Sequence, residues 1–143
     1  MAEADLLAKP AARAANLDPA RSFQGLILTL QQYWEPLVDA AGIDLVLNGH
    51  DHDYEVSKPL TYSGTSNVPT IQPTNATGTV YVVAGGAGAE LYQNGIGAWT
   101  AYSESTYSSA IIDVQRDSMT MTAFRQDGTP INAAGGGFSK TKQ

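Results

Sequence analysis

Gly42-Ile43-Asp44-Leu45-Val46-Leu47-Asn48-Gly49-His50-Asp51-His52-Asp53-Tyr54-Glu55 is the stretch that decides how this chain folds. Its first part, Ile43 to Leu47, is a short apolar run of the kind that forms buried strands in α/β folds. Upstream, Phe23, Leu26, Ile27, Leu30, Trp34, Leu37, Val38 and Ala41 recur at three- and four-residue spacing, which predicts an amphipathic helix over Ser22 to Ala41. Ser22 suits the N-cap and Gly42 the C-terminal stop. Pro36 lacks a backbone donor and should kink or restart the helix. Helix, one-glycine turn and strand make half of an α/β unit.

The strand is expected to end at the polar segment. His50, His52 and Tyr54 alternate with Asp51, Asp53 and Glu55, so an extended backbone would turn the imidazoles one way and the carboxylates the other. Two imidazoles about 7 Å apart at Cα can converge on one metal or reach two adjacent metals. The carboxylates are candidates for fixing the ring tautomers. Gly49 allows an unusual backbone angle beside the pair. Ligands in open α/β sheets gather outside the carboxyl ends of strands, where this segment falls. The same pattern also suits a solvated acidic turn, and two ligands alone do not make a catalytic metal site.

Downstream, residues 59–89 carry no charge. Thr61 to Thr77 is dense in Ser, Thr, Pro and Asn and reads as a long surface loop. Gly78 to Ala84 reads as a strand running into Gly85-Gly86-Ala87-Gly88. A phosphate-binding loop would need a following helix with Lys-Ser/Thr, which is absent, so the glycines predict a tight turn beside the histidines. Tyr92, Trp99, Tyr102 and Tyr107 suit sheet-face packing or a pocket lining. Ser108 to Val114 and Ser118 to Phe124 predict an antiparallel hairpin turning at Arg116-Asp117. Asp127-Gly128 marks the next turn, before a short strand at Thr129 to Asn132. The chain divides into a loosely ordered lead-in (1–21), one domain (22–132) and a flexible tail (133–143). Asn75-Ala76-Thr77 fits the glycosylation pattern.

Composition narrows the function. The chain has 143 residues, no Cys and two His, both in one tripeptide, so disulfides, Cys-zinc sites and Cys nucleophiles are excluded. A net charge of −6 argues against nucleic-acid binding. No apolar run reaches membrane-spanning length, and no Gly-x-Ser-x-Gly elbow marks a serine hydrolase.

The stretch Asp44 to Glu55 resembles the last signature of the calcineurin-like metallophosphoesterases, in particular the purple-acid-phosphatase-like branch: Gly-His-x-His after a strand, followed by Tyr-Glu-Arg. The flanks agree, with Trp34-Glu35-Pro36-Leu37 before it, Ser57 to Leu60 after it, and Gly78-Thr79-Val80-Tyr81-Val82-Val83 leading to the glycines; the likeness covers about Phe23 to Asn132. It implies a β-sandwich flanked by helices, α/β to α+β in class and mostly antiparallel in its second half. It further implies phosphate-ester hydrolysis at a metal pair (Fe, Zn or Mn), with His50 and His52 as metal ligands. Such a centre clamps phosphoryl oxygens and lowers the pKa of the attacking water.

The departures are specific. The family's Asp-x-His, Gly-Asp-x-x-Asp/Tyr and Gly-Asn-His-Asp/Glu signatures and its further His are absent, and Val56 stands where Arg is usual. The chain therefore resembles the C-terminal part of a larger phosphoesterase, begun before Met1 and inactive alone. An exposed apolar face or free sheet edge is then expected, met by self-association or by the missing N-terminal half. Two other readings fit the residues: a non-catalytic β-rich binding module, and a cupin-like metal enzyme, which would need a strand where the helix is predicted. Family members are often exported, pointing to a secreted or periplasmic parent. Residues 1–7 carry Glu3 and Asp5 where an export signal needs positive charge, so the location stays open.

Overall fold

The computed structural model describes residues 23–62, 68–93, 95–131 and 135–142, with helix side chains described from Gln31 onward. The lead-in, the Ser22 cap and the first four positions of the expected apolar stripe lie outside the described residues or side chains. The chain runs α1 (Phe23–Ala41), β1 (Leu45–Asn48), β2 (Tyr54–Ser57), β3 (Leu60–Thr61), β4 (Thr70–Ile71), β5 (Val80–Ala84), β6 (Thr100–Glu104), β7 (Ser108–Val114), β8 (Ser118–Arg125) and β9 (Phe138–Thr141). It is mostly β with one helix among the described residues, and the sheets are mostly antiparallel.

α1 ends as its sequence predicts. Gly42 takes φ +64°, and the N–H groups of Gly42 and Ile43 donate to the carbonyls of Asp39 and Val38 at 3.0 and 3.2 Å. This is the left-handed cap that glycine permits without a Cβ penalty. The helix is one element that passes through Pro36.

Two sheets form the body. The first has strand order β1-β5-β2-β6, and the second β7-β8-β9. β5 sits between β1, to which it is parallel, and β2, to which it is antiparallel. Its side chains alternate between two cores. Val80 and Val82 join Tyr54, Val56, Met121, Ala123, Ile131 and Phe138 between the sheets. Tyr81 joins Leu60 and Tyr62 on the other face, against Val38, Val46 and Trp99. The result is helix on sheet on sheet. Two polar links brace the layers: Arg125 makes a two-pronged ion pair with Glu104 at 2.6 and 2.7 Å, and Lys140 pairs with Asp44. The β7–β8 hairpin forms as expected, with Met121 and Ala123 buried on its inner face.

Four expectations need correction. The first concerns α1, whose described apolar stripe is only partly covered, with Val38 packed inward and Trp34 and Leu37 facing out. Tyr33, Trp34 and Leu37 are 62–64% exposed, while Glu35 is 5% exposed. At 100° per residue the exposed three share about 100° of arc, Glu35 and Asp39 occupy the opposite side, and Val38 lies at the boundary. Polar partners set this rotation. Tyr81 Oη donates to the Glu35 carboxylate, and the Tyr62 N–H donates to Asp39 Oδ2 at 2.5 Å. Second, the Ile43–Leu47 run is a half-buried edge rather than a buried strand. β1 ends the sheet, and Ile43 and Leu47 are 41% and 50% exposed because no strand lies beyond them among the described residues.

Third, the Thr61–Thr77 loop contains paired strands, since Leu60 and Thr61 bond to Ile71 and Thr70. Fourth, the tail expected from Ala133 carries β9, paired with β8 from Met121↔Phe138 to Ser118↔Thr141. Phe138 is buried in the sandwich, and the Gly136 carbonyl accepts from the buried Tyr54 hydroxyl. Gly136 fits there because any Cβ would stand 2.6 Å from Ile131.

Candidate functional site

β1 and β2 follow each other in sequence yet flank β5 in space. Asn48 lies beside Val83 and Tyr54 beside Ala84, so residues 49–53 must arch over the carboxyl end of β5. The chain leaving β5 passes beneath this arch at Gly85, whose N–H donates to the Asp53 carbonyl at 3.1 Å. A Cβ on Gly85 would stand 1.8 Å from the Asp51 carbonyl oxygen and 3.2 Å from His50 N. The tight turn expected beside the histidines is there, and glycine is what lets the two backbones touch.

The arch is not extended. His50 takes φ +80°, the one described non-glycine residue in that region, and regular strand begins only at Tyr54. Burial nonetheless alternates along the arch, with the histidines toward solvent and the aspartates inward. His50 is exposed and His52 half-buried, while Asp51 and Asp53 are 2% and 1% exposed. Left-handed backbone costs an L-residue on the order of 1–2 kcal/mol, and such strain collects at functional sites.

His52 is held from three directions. Its Nδ1 lies 2.7 Å from the Glu90 carbonyl oxygen, its own carbonyl accepts from the Tyr92 N–H at 3.0 Å, and its ring stacks on Tyr92 with centroids 4.4 Å apart and planes 22° from parallel. A carbonyl only accepts, so Nδ1 carries a proton, and Nε2 is the ring nitrogen left for a ligand. This is how metal-binding imidazoles are commonly oriented, although the anchor here is a main-chain carbonyl rather than the neighbouring carboxylates. Glu55 has a structural task, accepting from Thr100 Oγ1 at 2.7 Å. The Tyr92 contact spans forty residues and was indistinguishable in sequence from that of the other aromatics. Trp99 and Tyr102 pack against the two cores, and Tyr107 lines a surface cavity.

Among the described residues no group of three or more His, Asp or Glu could hold a metal ion. His50 and His52 by themselves thus do not fit a complete metal centre. What the arch supplies is one oriented imidazole, a second histidine two residues away, and a fixed backbone turn under both.

No family model matches the chain. Two uncharacterized proteins of Mycobacterium tuberculosis are 35% identical to it over 80 residues, which is 50% of this chain and 15% of each relative. Among solved structures, a purple acid phosphatase from yellow lupin (Lupinus luteus) seeds superimposes with a TM-score of 0.61 at 23% identity, covering 80% of this chain and 19% of the phosphatase. At that identity the likeness is one of fold alone. The chain spans less than a fifth of the length of any of these proteins.

Proposed function

We propose that this chain is the C-terminal segment of a metal-dependent phosphoesterase, supplying His50 and His52 as ligands to a metal pair (Fe, Zn or Mn) completed by residues outside it. The observation that carries the reading is His52: its Nδ1–H is committed to the Glu90 carbonyl and its ring is fixed by Tyr92, leaving Nε2 as the open donor. A metal pair in such a site would polarise a phosphate ester and activate water. This chain's part is to hold two nitrogen donors on an arch pinned by Gly85. Lacking a third ligand among its described residues, the segment is inactive alone.

The outward face of α1 and the edge of β1, which pairs no further strand among the described residues, support the same reading. Tyr33, Trp34, Leu37, Ile43 and Leu47 are all 41% or more exposed, a set of large apolar side chains that a further layer of the same domain would cover. The substrate is a phosphate ester of the completed enzyme. No described helix is long and apolar enough to cross a membrane.

The test joins this chain to the N-terminal remainder of its parent and measures metal content and hydrolysis of an aryl phosphate. Bound metal with turnover in the joined protein, lost in both His50→Ala and His52→Ala, is the expected result. Turnover that survives both substitutions would overturn the reading. Turnover by the isolated chain would overturn its status as an incomplete site. A non-catalytic binding module, the second reading, gains support if the joined protein binds no metal.

A further inference from the structure

Beside the histidine arch lies a cavity of about 350 Å³ whose walls include Gly86, Gly88, Tyr107, Ser108, Ser109 and Gln126. That volume is at the lower end of the range for small-molecule sites. Three of its lining residues, Gly86, Ala87 and Gly88, follow directly on Gly85, which touches the arch at Asp51. The walls are tied together. The Gly86 carbonyl accepts from Ser108 N at 3.3 Å, and the Tyr107 carbonyl accepts from Gln126 N at 3.0 Å. Gly86 is obligatory there, because a Cβ would stand 2.3 Å from the Thr106 carbonyl oxygen. Gly88, at φ +104°, faces open space at the rim.

The chemistry of the walls is selective. None of the lining side chains is charged, so nothing here would retain a phosphate group against water. A tyrosine ring and flat glycine peptides offer faces to a planar group, and the Ser109 hydroxyl and Gln126 amide offer hydrogen bonds at its edge.

We propose that this cavity binds the uncharged aromatic alcohol portion of the ester. The assignment rests on the phosphoesterase reading for its meaning, but binding in the cavity does not depend on it. The phosphate would lie over the arch and the ring against Tyr107, so the cavity selects aryl over short alkyl esters.

The test uses the 143-residue chain without metal, phenol as probe, and amide chemical shifts as readout. Saturable shifts are expected at Gly86, Gly88, Tyr107 and Gln126, with none on adding inorganic phosphate. Tyr107→Ala should weaken binding about three- to tenfold, the worth of an aromatic contact, while Tyr107→Phe keeps it. Ser109→Leu, a change at an exposed position that leaves the fold intact, should block the cavity. Absence of saturable shifts, shifts confined to the Trp34 and Leu37 face, or phosphate moving the same amides would each overturn the proposal. The measurement involves neither turnover nor metal, so its failure and that of the phosphoesterase reading are told apart.

Discussion

Gly85 and Asp51 meet backbone to backbone: the space a Cβ would need on Gly85 is taken by the Asp51 carbonyl oxygen, 1.8 Å away. The neighbour is main chain and cannot rotate aside, so Gly85→Ala must push the histidine arch off the end of β5. Overpacking of this kind costs typically 1–3 kcal/mol, and a loss of about 3 kcal/mol is expected from urea unfolding. A Gly85→Ala chain as stable as the parent would mean that the arch does not rest on this turn.

His50 provides a second check through its backbone. At φ +80° a glycine is relieved of the steric cost borne by any L-residue. His50→Gly is therefore expected to be more stable than His50→Ala by about 1 kcal/mol, although both remove the imidazole. Equal stabilities would show that the left-handed turn is not maintained in solution.

His52 makes a prediction about a proton. With Nδ1 donating to the Glu90 carbonyl, nitrogen-detected NMR above the histidine titration range should find the Nδ1–H tautomer. Tyr92→Leu should release the ring and let the Nε2–H form appear. An Nε2–H tautomer in the unsubstituted chain would remove the main support for His52 as a nitrogen donor.

Two carboxylates should shift stability in opposite directions with pH. Burial raises the Glu35 pKa despite the hydrogen bond from Tyr81. The folded chain thus favours the neutral acid, and Glu35 contributes fully below the ordinary carboxylate range and loses that contribution as pH rises through its raised value. Glu35→Gln should be more stable than the parent at pH 7, with the gap closing on acidification. Hydrogen bonding from Arg125 lowers the Glu104 pKa, so its contribution is present above the ordinary range and lost as pH falls through the lowered value. Glu104→Gln should be less stable at pH 7, and that gap also closes in acid. Thermal unfolding from pH 3 to 8 reads both signs.

The outward side of α1 can be changed with little effect on folding. Trp34→Lys with Leu37→Lys alters residues that are 62% and 64% exposed, and a stability change within about 0.5 kcal/mol per site is expected. Sedimentation should show any self-association of the unsubstituted chain abolished. Association that persists unchanged would place the contact elsewhere.

Local chemistry was the legible part of the sequence. The Gly42 stop, β5, the β7–β8 hairpin and the turn at Asp127-Gly128 each follow from residues within a few positions of one another, and all are found. The orientation of α1 was not legible, because periodicity identifies an apolar stripe but not whether it is covered. Here two acidic side chains found donors on Tyr62 and Tyr81, which lie 23 and 46 residues away. β9 was hidden for a similar reason. A glycine-rich tail looks mobile until the Tyr54 hydroxyl, 82 residues earlier, is seen to bond to it. Spacing singled out the histidines, but an alternation rule cannot anticipate the left-handed backbone of His50.

The placement of β5 between two sequence neighbours has a consequence for the order of folding. β1 and β2 cannot pair with each other first and wait, because the strand that separates them arrives only at Val80. Closing a loop of that length precedes any gain from the central pairing, so the arch carrying His50 and His52 has no support in any intermediate that lacks β5. The two histidines therefore sit on a clasp that closes late, and their acquisition of native shifts would time the insertion of the central strand.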